Sequence, residues 1–144
     1  LIDYNKKKIS TNSKGIDVIE FYLSANLGEP IKPLRHVASG GEISRIMLAI
    51  KTVFDDLDPV GTLVFDEIDS GISGNAAKKV ANHLVELSKN KQVICITHLS
   101  QIANFADHHL HLVKYVQGNN TFVKAKYLDK KESFNVIQEL FMGN

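Results

Sequence analysis

Two short, unbroken apolar runs, each stopping at residues that carry chemistry, constrain this chain most. Thr62-Leu63-Val64-Phe65 ends at Asp66-Glu67, and Gln92 to Thr97 (QVICIT) ends at His98. A strand with one wet face alternates apolar and polar residues. A continuously apolar run reads as a strand buried on both faces, the habit of a parallel sheet covered by helices. Parallel neighbours need a crossover, and the stretch between the runs supplies one. Ser73 is a good helix N-cap, and Ala77, Val80, Ala81, Leu84 and Leu87 follow at helical spacing, facing inward.

Upstream, Ile43, Ile46, Met47, Ile50, Val53, Phe54 and Leu57 form the apolar stripe of a helix starting at Glu42. Gly40-Gly41 precede it and Pro59-Val60-Gly61 follow it. Asp17 to Leu23 is β-branched and aromatic enough for a strand, and Pro30 and Pro33 then punctuate a loop. Downstream, a short helix is expected around Gln101 to Phe105. Leu110–Val116 and Thr121–Leu128 flank Gly118-Asn119-Asn120 as a hairpin, and a last helix turns Phe134, Ile137, Leu140 and Phe141 to one side. The expected fold is α/β, a mostly parallel sheet flanked by helices with a C-terminal β-hairpin.

At 144 residues, with 44% hydrophobic and 23% charged, residues 1–144 read as a single domain able to fill a core. A disordered tail, a collagen repeat and a coiled-coil rod are excluded. The net charge of +1 gives no global sign of nucleic-acid binding. Ile46–Ile50 is the longest aliphatic run, far short of the ~20 residues that cross a bilayer, and no signal peptide is legible, so no membrane partner is expected. The single cysteine, Cys95, excludes an internal disulfide and fits a reducing, cytoplasmic setting. Because the chain starts at Leu1 and stops at Asn144 just after an apolar stretch, we expect a fragment of a longer protein.

Three element boundaries carry the chemistry. Ser39-Gly40-Gly41-Glu42 opens a helix, where small residues leave backbone N–H groups open to an anion. Asp66 and Glu67 would be costly wherever water is excluded unless a cation or polar partner meets them. At the carboxyl end of a strand Asp66 suits Mg²⁺, through water, and Glu67 suits the water that attacks a phosphoryl group. His98 ends the neighbouring strand and suits a terminal phosphate. Each motif alone has a plain structural explanation: a tight turn, a solvated loop, a histidine bonded to a carbonyl. Their order and shared placement make coincidence the weaker explanation.

Together these stretches resemble the C-terminal lobe of an ABC-type ATPase head. In that resemblance Ser39–Glu42 is the signature motif, Thr62–Glu67 the Walker B strand, Ser70-Gly71-Ile72-Ser73 the D-loop and His98 the switch histidine. Glu42, and Asp-Glu-Ile-Asp in place of a transporter's Asp-Glu-Pro, look like the SMC branch, which disfavours a transporter subunit. The strings at 21–30, 37–45, 65–74 and 97–103 resemble the RecN branch of these SMC-like proteins, bacterial DNA repair factors, over roughly Asp17 to Val113.

The resemblance implies ATP and Mg²⁺ as ligands, a second head in a homodimer, DNA contacted through the full-length protein, and a bacterial, nucleoid-associated location. Ser39 and Gly41 would contact the γ-phosphate of a nucleotide held by the partner head, with Gly40 and Glu42 in the same motif. Asp66, Glu67 and His98 would serve the nucleotide on their own head, and Ser70 and Gly71 lie in the D-loop. Ser73 stands where many relatives have aspartate, which removes a charge from that loop. No Gly-x-x-x-x-Gly-Lys-[Ser/Thr] occurs in the 144 residues, so the phosphate-cradling Walker A lobe is an expected partner and the chain alone is expected to hydrolyse ATP negligibly. A non-catalytic interaction module, or the ATPase lobe of another SMC-type or ABC protein, is the alternative reading.

Other residues carry lesser expectations. Cys95 is expected to pack as a small hydrophobe, His109 and His111 supply too few metal ligands, and Lys6–Lys8 form a solvated loop. Arg45, one turn into its helix, is placed to reach a phosphate or to pair with an acid, and the pair is the expectation.

Overall fold

A computed structural model describes Gly15 and residues 19–24, 28–36 and 39–143. The chain divides into two units, Leu1–Ala38 and Ser39–Asn144. In the first, β1 (Tyr22–Leu23) pairs antiparallel with β2 (Lys32–Pro33), and the Leu34 N–H closes on the Phe21 carbonyl at 2.7 Å. Arg35 and the Tyr22 hydroxyl both meet Glu20. Of the strand expected over 17–23, Tyr22 and Leu23 are extended and paired, residues 19–21 are not in a strand, and 17–18 lie outside the described residues. So do 1–14, with Lys6–Lys8. Pro33 sits in the short strand rather than in a loop, which an edge position tolerates because proline has no N–H to donate.

The second unit runs α1 (Gly40–Val53), a 3-10 turn (Asp55–Leu57), β3 (Thr62–Phe65), α2 (Gly74–Ser88), β4 (Gln92–Cys95), α3 (Ser100–Ala103), β5 (Leu110–Gln117), β6 (Asn120–Tyr127) and α4 (Lys130–Met142). β3 and β4 pair parallel, Thr62 opposite Gln92 through Phe65 opposite Cys95, and α2 is their crossover. Ala77, Val80, Ala81, Leu84 and Leu87 of α2 are all buried, against Leu63 and Phe65 of β3 and against Leu48, Ile68, Leu99 and Ile102. Burying a Leu, Ile or Phe stabilises by about 1.5–3 kcal/mol, so this cluster dominates the unit's packing. Lys91, half-buried at the foot of β4 with its side chain 6% exposed, donates to the Asp58 and Val60 carbonyls at 2.8 and 2.9 Å and lies 3.4 Å from Asp55 Oδ1, tying the approach to β3 in place.

The sheet is covered on one face only. Leu63 and Phe65 are buried while Val64 is 62% exposed, and Ile94 and Ile96 of the β4 run are exposed as well. The apolar runs predicted burial on both faces; among the described residues the helices pack on one.

Two helical stripes also differ from expectation. α1 starts at Gly40 rather than Glu42, and its buried side chain is Leu48, whereas Ile43, Met47, Val53, Phe54 and Leu57 are exposed. On α4, Ile137 and Leu140 are half-buried, but Phe134 and Phe141 are 62% and 65% exposed. Periodicity marks an apolar face without saying what covers it. The hairpin is as expected: β5 and β6 pair antiparallel from Leu110–Tyr127 to Gln117–Asn120, Gly118 at φ 62° makes the turn, and Tyr115 stacks on Phe122 at 5.6 Å. α4 is started by a capping box in which Asp129 and Glu132 each accept the other's backbone N–H.

Candidate functional site

Because β3 and β4 are parallel, both chains leave the sheet at the same edge, and the Ile96 N–H still bonds the Phe65 carbonyl at 2.9 Å. Asp66-Glu67 and Thr97-His98 therefore emerge side by side at the carboxyl end, where open α/β sheets bind ligands. The four residues Asp66-Glu67-Ile68-Asp69 then divide their tasks. Asp66 and Glu67 are exposed; Ile68 and Asp69 are buried.

Asp66 Oδ1 accepts the Glu67 N–H at 2.9 Å. Glu67 has φ 56°, alone among the described non-glycine residues in the left-handed region. Such a conformation costs roughly 1–3 kcal/mol and persists only where neighbours enforce it. Here the Glu67 carbonyl accepts the Ser70 N–H at 3.0 Å, closing a tight turn.

The glycine-rich start of α1 is what that turn packs against. Ser39 is the N-cap, its hydroxyl accepting the Glu42 N–H at 3.2 Å, and Glu42 lies in the first turn, where the helix dipole favours an acid. A Cβ on Gly40 would lie 2.6 Å from Glu67 Oε2. One on Gly41 would lie 2.8 Å from the Glu67 carbonyl and 2.9 Å from Ser70 Cβ. At Gly41, which faces backbone, only glycine permits this approach, whereas at Gly40 the neighbour is the end of a flexible side chain. Two side chains of α1 then fasten the turn: Ser44 donates to the Asp66 carbonyl at 2.9 Å, and Arg45 Nη1 donates to the Ile68 and Ser70 carbonyls at 3.1 and 2.8 Å. Arg45 thus bonds carbonyls, not the acid expected of it, because the turn presents oxygens to a guanidinium fork. Ser70 and Gly71 (φ 72°) lead on to α2, where Ser73 occupies the N-cap position without a side-chain cap bond.

His98 is anchored by a residue the sequence reading passed over. Asp69, 4% exposed, accepts on Oδ2 from the Thr97 hydroxyl at 2.6 Å and from the His98 N–H at 2.9 Å, and His98 Nδ1 lies within ion-pair range of the same oxygen at 3.0 Å. Burial alone would raise this carboxyl; the Thr97 and His98 donors outweigh it and hold it below its ordinary value. The available signal was a third acid beside the pair, with a Thr-His couple ending the adjacent strand to meet it. The rest of the His98 side chain faces a shallow cleft of about 280 Å³ with His111, Val136, Glu139, Leu140 and Gly143.

The remaining candidates take structural roles. His109 bridges the Ala103 carbonyl (2.7 Å) and the Ser133 hydroxyl, tying α3 to α4. Burial, with the Asp69 and Asp66 charges adding, pushes the Cys95 thiol up to about 11, so it is a protonated, packed hydrophobe at neutral pH. Among the described residues no three His, Cys, Asp or Glu side chains group closely enough to hold a metal ion by themselves. Asp66, whose Oδ2 has no partner among the described residues, fits instead an ion that takes one carboxylate and completes its shell with water and phosphate, as Mg²⁺ does. No described helix is long and apolar enough to cross a membrane.

No protein-family model matches the chain. It is 47% identical over 137 residues to DNA repair protein RecN of Treponema pallidum (strain Nichols), covering 95% of this chain and 24% of that protein. To DNA repair protein RecN of Bacillus subtilis (strain 168) it is 42% identical over 139 residues, covering 96% and 24%. The chain thus spans about a quarter of the length of these relatives. Among solved structures, the Smc head domain with a coiled coil and joint from Pyrococcus yayanosii aligns with TM-score 0.60 at 24% identity, over 83% of this chain and 22% of that one. A structure of SMC ATPases, described for ATP-driven dimerization and DNA-stimulated activation, aligns with TM-score 0.52 at 24% identity, over 79% and 68%. These structural likenesses are ones of fold.

Proposed function

We propose, taking a RecN-like ATPase-head lobe as the premise, that this chain is the C-terminal half of a head that binds and hydrolyses ATP. Its protein would serve double-strand-break repair and recombination in the bacterial cytoplasm, at the nucleoid. The supporting observation is the interlock at one sheet edge. The Asp66-Glu67 turn, the Ser39–Gly41 helix start and, through Asp69, the Thr97-His98 loop are fastened to one another by named contacts.

Glu67 orients and deprotonates the attacking water; its strained backbone keeps the carboxylate at the rim while Ile68 and Asp69 turn inward. Asp66 holds Mg²⁺ through water, and the bound ion would supply neutralisation of the phosphate charge. His98 meets the terminal phosphate. The N–H groups of the N-cap Ser39 and of Gly40 and Gly41, which no helix can satisfy internally, face phosphate oxygens of the nucleotide on a second head, while Glu42, whose N–H the Ser39 hydroxyl takes, completes the motif. Ser70 and Gly71 lie along the same seam. The phosphate cradle and its lysine come from the remainder of the same protein, because no such loop occurs in these 144 residues. The partner is a second copy of the head, and DNA engages the complete protein.

Glu67→Gln in the complete protein is the test. It should lower turnover about 10²–10⁴-fold, the usual worth of a general base, while ATP binding persists and an ATP-bound dimer accumulates in light scattering. Turnover at the parent rate would exclude Glu67 as the base.

A further inference from the structure

Asp69 is the one acidic residue buried among those described, and its satisfaction is more specific than burial demands. A buried carboxylate needs hydrogen-bond donors. The Thr97 hydroxyl and the His98 N–H already supply two, at 2.6 and 2.9 Å on the same oxygen. His98 Nδ1 also lies 3.0 Å from that oxygen, on a ring whose side chain is otherwise 66% exposed.

An imidazole whose Nδ1–H is given to a carboxylate presents only Nε2 elsewhere: a lone pair in the neutral ring, an N–H in the doubly protonated one. We propose that Asp69 is a positioning residue for the ATPase reaction, fixing the tautomer and plane of His98 so that Nε2 alone faces the phosphate. Its role in turnover rests on the function proposed above; the protonation pattern of the ring does not. A phosphate oxygen only accepts, so contact with it uses the doubly protonated ring, and the Asp69 carboxylate balances that charge. His111 on β5 and Glu139 on α4 are the other titratable groups across the cleft from His98. Neither is bonded to the ring, which leaves Asp69 as the group that sets its orientation.

The test has two arms. In ¹⁵N-histidine spectra of this chain, with the His98 signals identified by their loss in His98→Gln, the neutral ring should carry its proton on Nδ1. Asp69→Ala should shift it toward Nε2, and so should Asp69→Asn, which preserves the shape of the side chain should the alanine variant fail to fold. A wild-type ring protonated on Nε2, or a pattern unmoved by either variant, overturns the proposal.

In the complete protein, Asp69→Asn and His98→Ala should each lower kcat about tenfold or more with little change in KM for ATP. The double variant should be no slower than the slower single, because the two residues act as one unit. A normal kcat for Asp69→Asn, or independent effects that multiply, overturns the positioning role. His98→Ala turning over at the parent rate would instead overturn the catalytic reading of His98, with the Asp69–His98 pairing still judged by the spectra.

Discussion

Glu67 and the two glycines opposite it show what single residues do here. Gly41 faces rigid backbone, so Gly41→Ala should cost about 1–3 kcal/mol in chemical denaturation. Gly40 faces only the end of the Glu67 side chain, which can swing away. Gly40→Ala should therefore leave stability nearly intact while lowering ATPase activity of the complete protein by displacing the base. Equal losses of stability at the two positions would contradict the packing described. Glu67→Gly removes a left-handed non-glycine residue and should stabilise the chain by up to about 1 kcal/mol even as it removes activity. Asp69 adds a pH signature. Its folded carboxyl lies below the unfolded value, so its contribution is present above about pH 4 and is lost as pH falls through the folded value. Urea midpoints should drop in that acid window, and Asp69→Asn should flatten the drop; an equal drop in the variant would assign it to other carboxylates. None of this packing was legible in the glycines themselves. Ser39-Gly40-Gly41 reads equally as an open anion site and as a tight turn, and only the opposing Glu67 carbonyl shows why glycine is required.

Among the elements, legibility followed the kind of burial. β3, α2 and the β5–β6 hairpin were readable because each carries a self-contained pattern: an apolar run, a five-residue stripe and a turn glycine. Leu84→Ala, in the middle of that stripe, should cost about 2–5 kcal/mol. α1 and α4 were found, but their inward faces were not. Their apolar stripes are real, while what lies against them depends on other elements, and Phe134 and Phe141 remain exposed. The start of α4 was missed although Asp129 and Glu132 spell a capping box. Asp129→Ala should cost about 1 kcal/mol, and no cost would mean the cap bonds are not maintained in solution.

On the scale of the whole molecule, the apolar residues Val64, Ile94 and Ile96 on the bare face of the parallel pair are exposed together with much of the hairpin. Contiguous apolar surface favours association, so light scattering should show this chain self-associating at high concentration, and a clean monomer at millimolar protein would count against it. On the proposed function, the phosphate cradle would come from outside this sequence, which bears on catalysis as well. Reconstitution therefore tests the central claim most directly: this chain is mixed with the remainder of its parent protein, and Mg²⁺-dependent ATP hydrolysis is measured. Neither part should turn over ATP alone, the mixture should, and Glu67→Gln in this chain should abolish that gain. A stable complex with no hydrolysis, or hydrolysis indifferent to Glu67, would contradict the assignment.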